Sequence, residues 1–208
     1  LVLQGPHIGI ANPMQKTPRV PCRSNGDWDA IDLTNIAAEY LPRTNYSLSA
    51  SEMKARSGQD HWLTAPYSEY FRVAWRRMIN TKNSERSLYV ALIPRGPSHI
   101  HGIGSLGLDR NRDTALVAGF WGSLPLDYAV RITSKQNLQN SDVLALPAPQ
   151  RDHPLETALL LRSLRLNCLT QHYEPLWAEL FHPSWTDETW AVDWPGLTGL
   201  GVVGPTWE

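Results

Sequence analysis

The sequence predicts an α+β fold, with a twisted, mainly antiparallel sheet, a long C-terminal helix and extensive loops. Two apolar runs, Tyr70–Ile79 and Ser87–Ile93, flank a short polar loop, which is the pattern of a β-hairpin. Leu155–Tyr173 has apolar residues at helical spacing and lies between two prolines. The N-terminal third is rich in Pro, Asn and Ser and has few periodic runs, which favours loops.

The composition limits the kind of protein. The chain has 208 residues, a formal net charge of -1 and 42% hydrophobic residues, which is enough apolar surface for a buried core. Cys22 and Cys168 are isolated from each other, which argues against a zinc site or a disulfide framework and agrees with a reducing cytoplasm. No apolar run has the length of a membrane span, so we expect no membrane partner.

We divide the chain into three segments. Residues 1–68 form a loop-rich N-terminal connector segment, residues 69–150 a β-rich core, and residues 151–208 a C-terminal helix with a Trp-rich tail. This length allows one large domain or a domain with an appendage. Because the chain lacks an initiator Met, we expect it to be part of a longer protein.

The N-terminal segment predicts little regular structure. A short helix is expected over Asn35–Tyr40, with Thr34 as its N-terminal cap. Ser49–Asp60 is polar and is predicted to be a connector.

The first apolar run has an ambiguous period. Alternation places Phe71 and Trp75 on one side and Arg72 and Arg76 on the other, as in a strand. Helical spacing would also align each of these pairs. The polar loop Asn80–Glu85 and the apolar run after it favour two strands joined as a hairpin.

Further elements follow the hairpin. Ile100–Leu108 is predicted to be a Gly-spaced continuation of the sheet or a loop. Leu116–Arg131 is predicted to be a short helix, broken near Pro125, followed by an extended piece.

The C-terminal helix is predicted to begin after Pro154, with Glu156 in its first turn, and to be broken by Pro175. The tail from His182 onward contains four tryptophans, which suggests a strap packed over a surface. The predicted apolar stripe of the helix consists of Leu155, Leu159, Leu166, Leu169 and Tyr173.

The hairpin is locally basic. Between Arg72 and Arg95, six residues are Lys or Arg and one, Glu85, is acidic, which gives a local charge of +5. Such an excess attracts a phosphate backbone, and Arg can also read guanine edges. The alternative is a solvated basic face beside a core strand. The predicted DNA-binding residues here are Arg72, Arg76, Arg77, Lys82 and Arg86.

Two glycine strings match the pattern of a phosphate-binding loop. Such a loop requires a strand before it and a helix after it. Gly199–Gly204 ends four residues before the end of the chain, and Gly102–Gly107 precedes a poor helix sequence. Both are therefore interpreted as Gly-rich turns.

The sequence contains no complete site for methyl transfer. An enzyme that methylates the adenine amine needs Asn or Asp followed by two prolines and an aromatic residue, which together hold the flipped base. Asn12-Pro13-Met14-Gln15 supplies only the first two residues. We therefore expect no catalytic residues and no cofactor in this chain.

Two further groups of polar residues are candidates for metal ligands. His99 and His101 lack a nearby Cys or carboxylate, so loop histidines are the favoured interpretation. Asp27, Asp29 and Asp32 resemble a nuclease carboxylate cluster, but no Glu-x-Lys follows at a matching distance. A turn followed by acids at a helix start is favoured, and no metal is expected.

Four blocks carry a family resemblance. Within Tyr70–Pro94, Trp75-Arg76-Arg77, Asn83-Ser84-Glu85-Arg86 and Leu92-Ile93-Pro94 resemble the target-recognition region of large bacterial adenine-specific DNA methyltransferases of restriction-modification and phage-defence systems. The other blocks are GPHIGIANP (Gly5–Pro13), YLPRTNY (Tyr40–Tyr46) and LRSLRLNCLTQHYEPLW (Leu161–Trp177). They occur in the order of that family's C-terminal half.

The resemblance implies that this chain clamps double-stranded DNA in the bacterial cytoplasm. It also implies an upstream methyltransferase domain of the same protein that holds S-adenosylmethionine and flips and methylates the base. Arg43, within the YLPRTNY block, would contact phosphate or order the junction with that domain.

Two other functions remain open. The basic hairpin and the Trp-rich tail would also suit a protein-interaction module of a bacterial defence complex. A metal-dependent hydrolase built on Asp27, Asp29 and Asp32 is the third possibility.

Overall fold

The structure, a computed structural model, describes residues 1–47, 49, 51–52, 61–62, 65–80, 84–190, 192, 194–196 and 203–207. It confirms the predicted α+β class, with open and mainly antiparallel sheets. The strands are β1 (Val2–Leu3), β2 (Lys16–Pro18), β3 (Trp28–Ala30), β4 (His61–Trp62), β5 (Ala65–Pro66), β6 (Arg72–Arg76), β7 (Val90–Ile93), β8 (Ser98–His99) and β9 (Ile103–Leu106). The helices are α1 (Asn111–Trp121), α2 (Leu124–Ile132), α3 (Asn140–Leu144), α4 (Glu156–Asn167) and α5 (Glu174–Leu180).

The central sheet has three antiparallel strands in the order β7-β6-β9. Val73 of β6 lies opposite Leu92 of β7 and Leu106 of β9. The predicted hairpin is therefore confirmed, and the Gly-spaced run after it forms a third strand. Smaller two-stranded sheets flank this core, and β1 pairs in parallel with β8.

The two faces of β6 have different environments, as strand alternation predicts. Val73 and Trp75 belong to the larger core, which also includes residues of the helices. Ala74 packs in a smaller core with Leu3 and Ile8 of the N-terminal segment. Arg72 and Arg76 share this second face, and Arg76 is bonded there to Ile8 and Gln15 of the N-terminal segment.

The chain around Pro125 differs from its prediction. The prediction of an extended piece after Pro125 is wrong, because the chain forms a second helix there, α2. Pro125 occupies its first turn, where a missing N–H costs no helical hydrogen bond. Among the described residues, no helix is both long and apolar enough to cross a bilayer.

The C-terminal helix is shorter than predicted. Helix α4 ends at Asn167, a 3₁₀ turn spans Gln171–Tyr173, and α5 follows with Pro175 in its first turn. Asn167 Oδ1 accepts the Leu92 N–H at 2.7 Å, while Asn167 Nδ2 donates to the Ser163 carbonyl oxygen. The amide thus fastens the last turn of the helix to strand β7.

The predicted apolar stripe of α4 is also wrong in part. Leu155 is 66% exposed and Leu166 is 57% exposed. The buried leucines are instead Leu160, Leu161 and Leu164. This face is turned toward α1, where Ser163 Oγ donates to the Ala115 carbonyl oxygen at 2.6 Å and Gly119 approaches the Ser163 side chain.

Neither of the two predictions for the N-terminal segment is confirmed. The helix expected over Asn35–Tyr40 is absent from these described residues, and a 3₁₀ turn forms instead over Leu33–Asn35, capped by Asp32. Most of the predicted connector Ser49–Asp60 lies outside the described residues.

The Trp-rich tail packs on the core through some of its tryptophans. Trp185 is 1% exposed and Trp207 Nε1 donates to the Cys168 carbonyl oxygen at 2.8 Å. Trp190 and Trp194 are 48% and 67% exposed. The predicted strap is therefore supported at Trp185 and Trp207.

Two leucines of α4 provide a test of this packing. Leu164→Ala should lower the free energy of unfolding by about 2–5 kcal/mol, because it leaves a cavity in the larger core. Leu166→Ala, on the same helix but exposed, should change it by less than about 0.5 kcal/mol. Urea unfolding of both variants measures the difference. Equal losses would contradict the orientation of α4.

Candidate nucleic-acid interface

Helix α2 anchors the start of the second hairpin strand. Asp127, 5% exposed, accepts the backbone N–H groups of Ser87 and Leu88 at 2.7 Å each. Arg86 Nε lies 3.3 Å from the same carboxylate oxygen, and Arg86 Nη2 donates to the Gly122 carbonyl oxygen at 2.9 Å. Arg86, a predicted DNA-binding residue, is thus engaged in holding the hairpin to α2.

Arg131, at the end of α2, holds the hairpin loop itself. Its Nη2 donates to the carbonyl oxygens of Ser84 and Glu85 at 2.7 and 2.9 Å. Its Nε donates to Ser87 Oγ at 3.2 Å. The backbone at Ser84 and Glu85, just before the second hairpin strand, is therefore held by an arginine from outside the hairpin.

Arg72 has no exposed surface in the structure. Its guanidinium donates to the carbonyl oxygens of Pro97 and Tyr70 and lies over the Tyr67 ring, 4.9 Å from the centroid. Burial lowers the pKa of Arg72 to about 10, which still leaves it a cation at neutral pH. Arg72 is therefore a structural crosslink between β6 and the chain at Pro97.

Arg76 is partly buried and reaches the edge of a groove. Its Nε donates to the Ile8 carbonyl oxygen and its Nη2 to Gln15 Oε1, both at 2.7 Å. The guanidinium also stacks on Tyr89, 4.1 Å from the ring centroid. Burial lowers the pKa of Arg76 from its usual value.

The other predicted basic residues are dispersed. Arg77 points away from Arg76, and its Nη2 donates to Asn140 Oδ1 at 3.1 Å. Lys82 lies outside the described residues. Arg43 is exposed, and its Nε and Nη2 donate to the Pro18 carbonyl oxygen at 3.1 and 2.7 Å. The six predicted residues therefore do not form one continuous surface among the described positions.

Two adjoining clefts form what we call the polar groove. The first has a volume of about 580 Å³, and the second about 610 Å³. Gln4, Asn25 and Trp28 line both clefts, so the two lie side by side. The first cleft is also lined by Gly5, Pro6, Gln15, Lys16, Arg76, Met78, Tyr89, Ile100 and Gly102, and the second by Cys22, Arg23, Ser24, Asn45 and Tyr46.

The polar groove is cationic. Lys16, Arg23 and Arg76 line it, and no carboxylate does so among the described residues. Trp28, Tyr46 and Tyr89 supply aromatic rings, and four amide side chains add donors and acceptors. Charge, aromatic faces and amides together are the groups with which proteins contact phosphates and base edges.

His7 joins two of the blocks that carry the family resemblance. Its Nδ1 accepts the Gln4 N–H at 2.9 Å, so the proton lies on Nε2, which donates to the Arg43 carbonyl oxygen at 2.8 Å. The ring is buried edge-to-face against Trp28. Burial lowers the pKa of His7, so the imidazole is neutral at physiological pH.

The three aspartates of the hydrolase alternative have local structural partners. Asp27 accepts backbone N–H groups of the turn before it, Asp29 pairs with Arg19 at 2.6 Å, and Asp32 accepts the Thr34 N–H. Within the described part of the chain, no group of three His, Cys, Asp or Glu residues is placed to hold a metal ion.

The two histidines near β9 differ in their surroundings. His99 Nε2 lies 2.8 Å from Ser105 Oγ, whereas His101 is exposed. The alternate spacing of the two residues therefore does not bring them together as a pair of ligands.

The first glycine string, Gly102–Gly107, lies largely within β9 and not at a turn before a helix. The sequence after it was expected to be a poor helix, and this is wrong, because α1 begins at Asn111. A Cβ at Gly104 would overlap the Trp75 ring, so this glycine permits close packing of β9 on β6. Most of the second string, Gly199–Gly204, lies outside the described residues.

The fold and the groove define an α+β protein with a cationic, amide-lined cleft. Comparison with protein-family models gives no match, and searches of curated proteins and of solved structures give none either. The resemblance stated from the sequence therefore stays a prediction, and functional inference depends on the site.

Sequence reasoning missed most of the polar groove. Gln15, Lys16, Arg23 and Asn25 are in the segment that the sequence pattern assigns to a connector. The sequence offered one indication of these residues. Gln15 and Lys16 lie only one residue beyond the end of the GPHIGIANP block.

The contact between Asp127 and the hairpin can be tested by mutation. Asp127→Ala should lower the free energy of unfolding by about 3–5 kcal/mol, because it leaves Arg86 and two buried N–H groups without their acceptor. Asp109→Ala, at an exposed position before α1, should change it by less than about 0.5 kcal/mol. Denaturant unfolding of the two variants gives the comparison, and a loss below about 1 kcal/mol for Asp127→Ala would contradict the anchoring role.

His7 makes stability depend on pH. The unfolded chain takes up a proton on this residue near pH 6.5, whereas the folded chain resists protonation because its pKa is lowered. Below about pH 6.5 the unfolded state therefore binds more protons, and stability should fall as the pH is lowered from about 7.5 to about 5.5. Burial also lowers the pKa of His99, which adds to the same trend.

Unfolding by urea at several pH values measures this dependence. His7→Gln should show a shallower fall in stability between about pH 7.5 and 5.5 than the wild-type chain. His101→Gln, at an exposed position, is the matched control and should keep the wild-type pH dependence. The assignment to His7 is wrong if both variants behave alike.

Proposed function

We propose that this chain is a DNA target-recognition region of an adenine-N6 DNA methyltransferase and that it binds double-stranded DNA along the polar groove. The S-adenosylmethionine-binding, base-flipping domain would lie upstream in the same protein, which would act in the bacterial cytoplasm. The chain itself would position the duplex and discriminate its sequence.

The observation that carries the proposal is where the family blocks meet. Gly5 and Pro6 of the GPHIGIANP block, Asn45 and Tyr46 of the YLPRTNY block, and Arg76 of the hairpin block line one groove. These blocks are distant in the sequence. Their residues are therefore available together to a ligand that enters the groove.

Charge supports the same assignment. The whole chain has a formal net charge of -1, yet the described groove lining has three cations and no carboxylate. A cleft lined by one sign of charge attracts a polyanion even when the protein as a whole is neutral. Arg43 also lies beside β2, close to this lining, whereas Arg19 next to it is paired with Asp29.

The proposal changes the roles of the predicted arginines. Arg76 remains a candidate for the interface, whereas Arg72 and Arg86 act by holding the sheet to its neighbours. Lys16 and Arg23 take the phosphate-binding role in their place. Charge in the hairpin thus stabilises the surface on which DNA is bound.

A protein-interaction module is the second candidate. Leu124, Tyr128 and Ile132 of α2 lie at positions i, i+4 and i+8 and are 69%, 66% and 63% exposed. An exposed apolar stripe of this kind is typical of a surface that contacts another protein. It lies on α2, which contributes no residue to the described lining of the polar groove.

Binding to duplex DNA at several salt concentrations tests the leading proposal. The wild-type chain should bind with an affinity that falls steeply as salt rises, because bound cations are released from the phosphates. Lys16→Ala and Arg23→Ala should each flatten the slope of log affinity against log salt by about 0.9, the value for one phosphate that the protein no longer neutralises.

Arg151→Ala is the matched control. Its side chain is 74% exposed and pairs with Asp113 outside the groove, so the salt slope should not change. Absence of salt-dependent DNA binding by the folded wild-type chain would refute the proposal and favour the interaction module. Equal slopes for all three variants would exclude the groove as the DNA surface.

A further inference from the structure

Gln15 lies in the polar groove with its side-chain amide in a fixed orientation. Arg76 Nη2 donates to Gln15 Oε1 at 2.7 Å. Because a guanidinium is only a donor, the amide must present its oxygen to Arg76. The amide nitrogen, with its two N–H groups, therefore points away from Arg76.

The backbone of Gln15 is held as firmly as its oxygen. Its N–H donates to the His7 carbonyl oxygen at 2.9 Å, and its own carbonyl oxygen accepts the Ile31 N–H at 3.1 Å. Arg76 is itself held by the Ile8 carbonyl oxygen and by stacking on Tyr89. A side chain with so little freedom loses little entropy when it binds a ligand.

The amide nitrogen of Gln15 is available to a ligand. It makes no hydrogen bond to any residue that the structure describes, and Gln15 lines the first cleft of the groove. Lys16, the next residue, lines the same cleft, and its ammonium group can donate hydrogen bonds but cannot accept them. This part of the groove therefore offers donors and a positive charge to an acceptor-rich partner.

Among the base edges in the major groove, that of guanine is the one with two adjacent acceptors, N7 and O6. Adenine places a donor beside its N7, and cytosine presents a donor alone. A pair of donors at the site thus favours guanine over the other bases.

We infer that Gln15, oriented by Arg76, donates to the N7 and O6 edge of a guanine in the recognised duplex, while Lys16 beside it contacts a phosphate. The inference rests on the proposed DNA-binding function and adds the residue and the base that it reads. In this arrangement Gln15 contacts the base, and Arg76 is a positioning residue.

The test begins with the sequence preference of the 208-residue chain, obtained by selection from randomised duplexes. Affinity is then measured for the selected duplex and for versions in which each guanine in turn is 7-deazaguanine, which lacks the N7 acceptor. One such replacement should weaken wild-type binding by about tenfold, the size expected for a single base contact.

Two variants of Gln15 should lose the response at that same position. Gln15→Ala removes the amide, and Gln15→Met keeps the length of the side chain while removing the donors, so one variant can be compared if the other folds poorly. Both should bind the normal and the modified duplex equally. Gln150→Ala, at an exposed position outside the groove, should keep the wild-type response.

Arg76→Lys provides the readout for positioning. It keeps the positive charge but removes the fork that bridges Ile8 and Gln15. We expect discrimination at the guanine to decrease while the salt dependence of binding stays close to that of the wild-type chain. A purely structural role for Arg76 would instead weaken binding to all duplexes alike.

The outcomes separate the two proposals. A wild-type chain that binds no duplex refutes the DNA-binding function and this inference with it. A wild-type chain that selects a site, combined with Gln15 variants that keep full preference at every guanine, leaves DNA binding standing and overturns the role of Gln15. A selected site that contains no guanine would likewise leave DNA binding standing and overturn the role of Gln15.

Discussion

The outer edge of strand β7, which does not pair with β6, is the constraint on which the rest of the structure depends. Strand β6 satisfies one edge of β7, and the backbone groups on its outer edge need other partners because an open edge invites pairing with another chain. Four distant elements supply them. Asp127 accepts the Leu88 N–H, Asn167 accepts the Leu92 N–H, Tyr173 donates to the Leu92 carbonyl oxygen, and Ala11 donates to the Val90 carbonyl oxygen.

These bonds also place the elements that provide them. Asn167 fixes the end of α4, Tyr173 the turn before α5, and Asp127 the middle of α2. Tyr173 is wholly buried, so its phenol needs the Leu92 carbonyl oxygen as an acceptor, and burial raises its pKa well above the usual value. The helices are therefore held to the sheet by side-chain bonds as well as by apolar packing.

Arginine solves the corresponding problem for loop carbonyl groups. A fold with extensive loops has many carbonyl oxygens outside helices and ladders, and each guanidinium has five N–H donors. Arg43, Arg72, Arg76, Arg86 and Arg131 all donate to such oxygens. These arginines thus stabilise the fold. Lys16 and Arg23 line the groove and make no such bond among the described residues, so they are the cations that can contact a ligand.

The sequence by itself determined the α+β class, the hairpin and the two faces of β6, because alternation with period two is a local property of the chain. Only the tertiary structure decided where α4 ends, which leucines it buries and where each arginine points. Arg76 bonds Ile8 across 68 positions and Asn167 bonds Leu92 across 75, and no local pattern encodes such partners. The polar groove depends on the same long-range contacts, so its residues could be recognised only after distant blocks had been brought together.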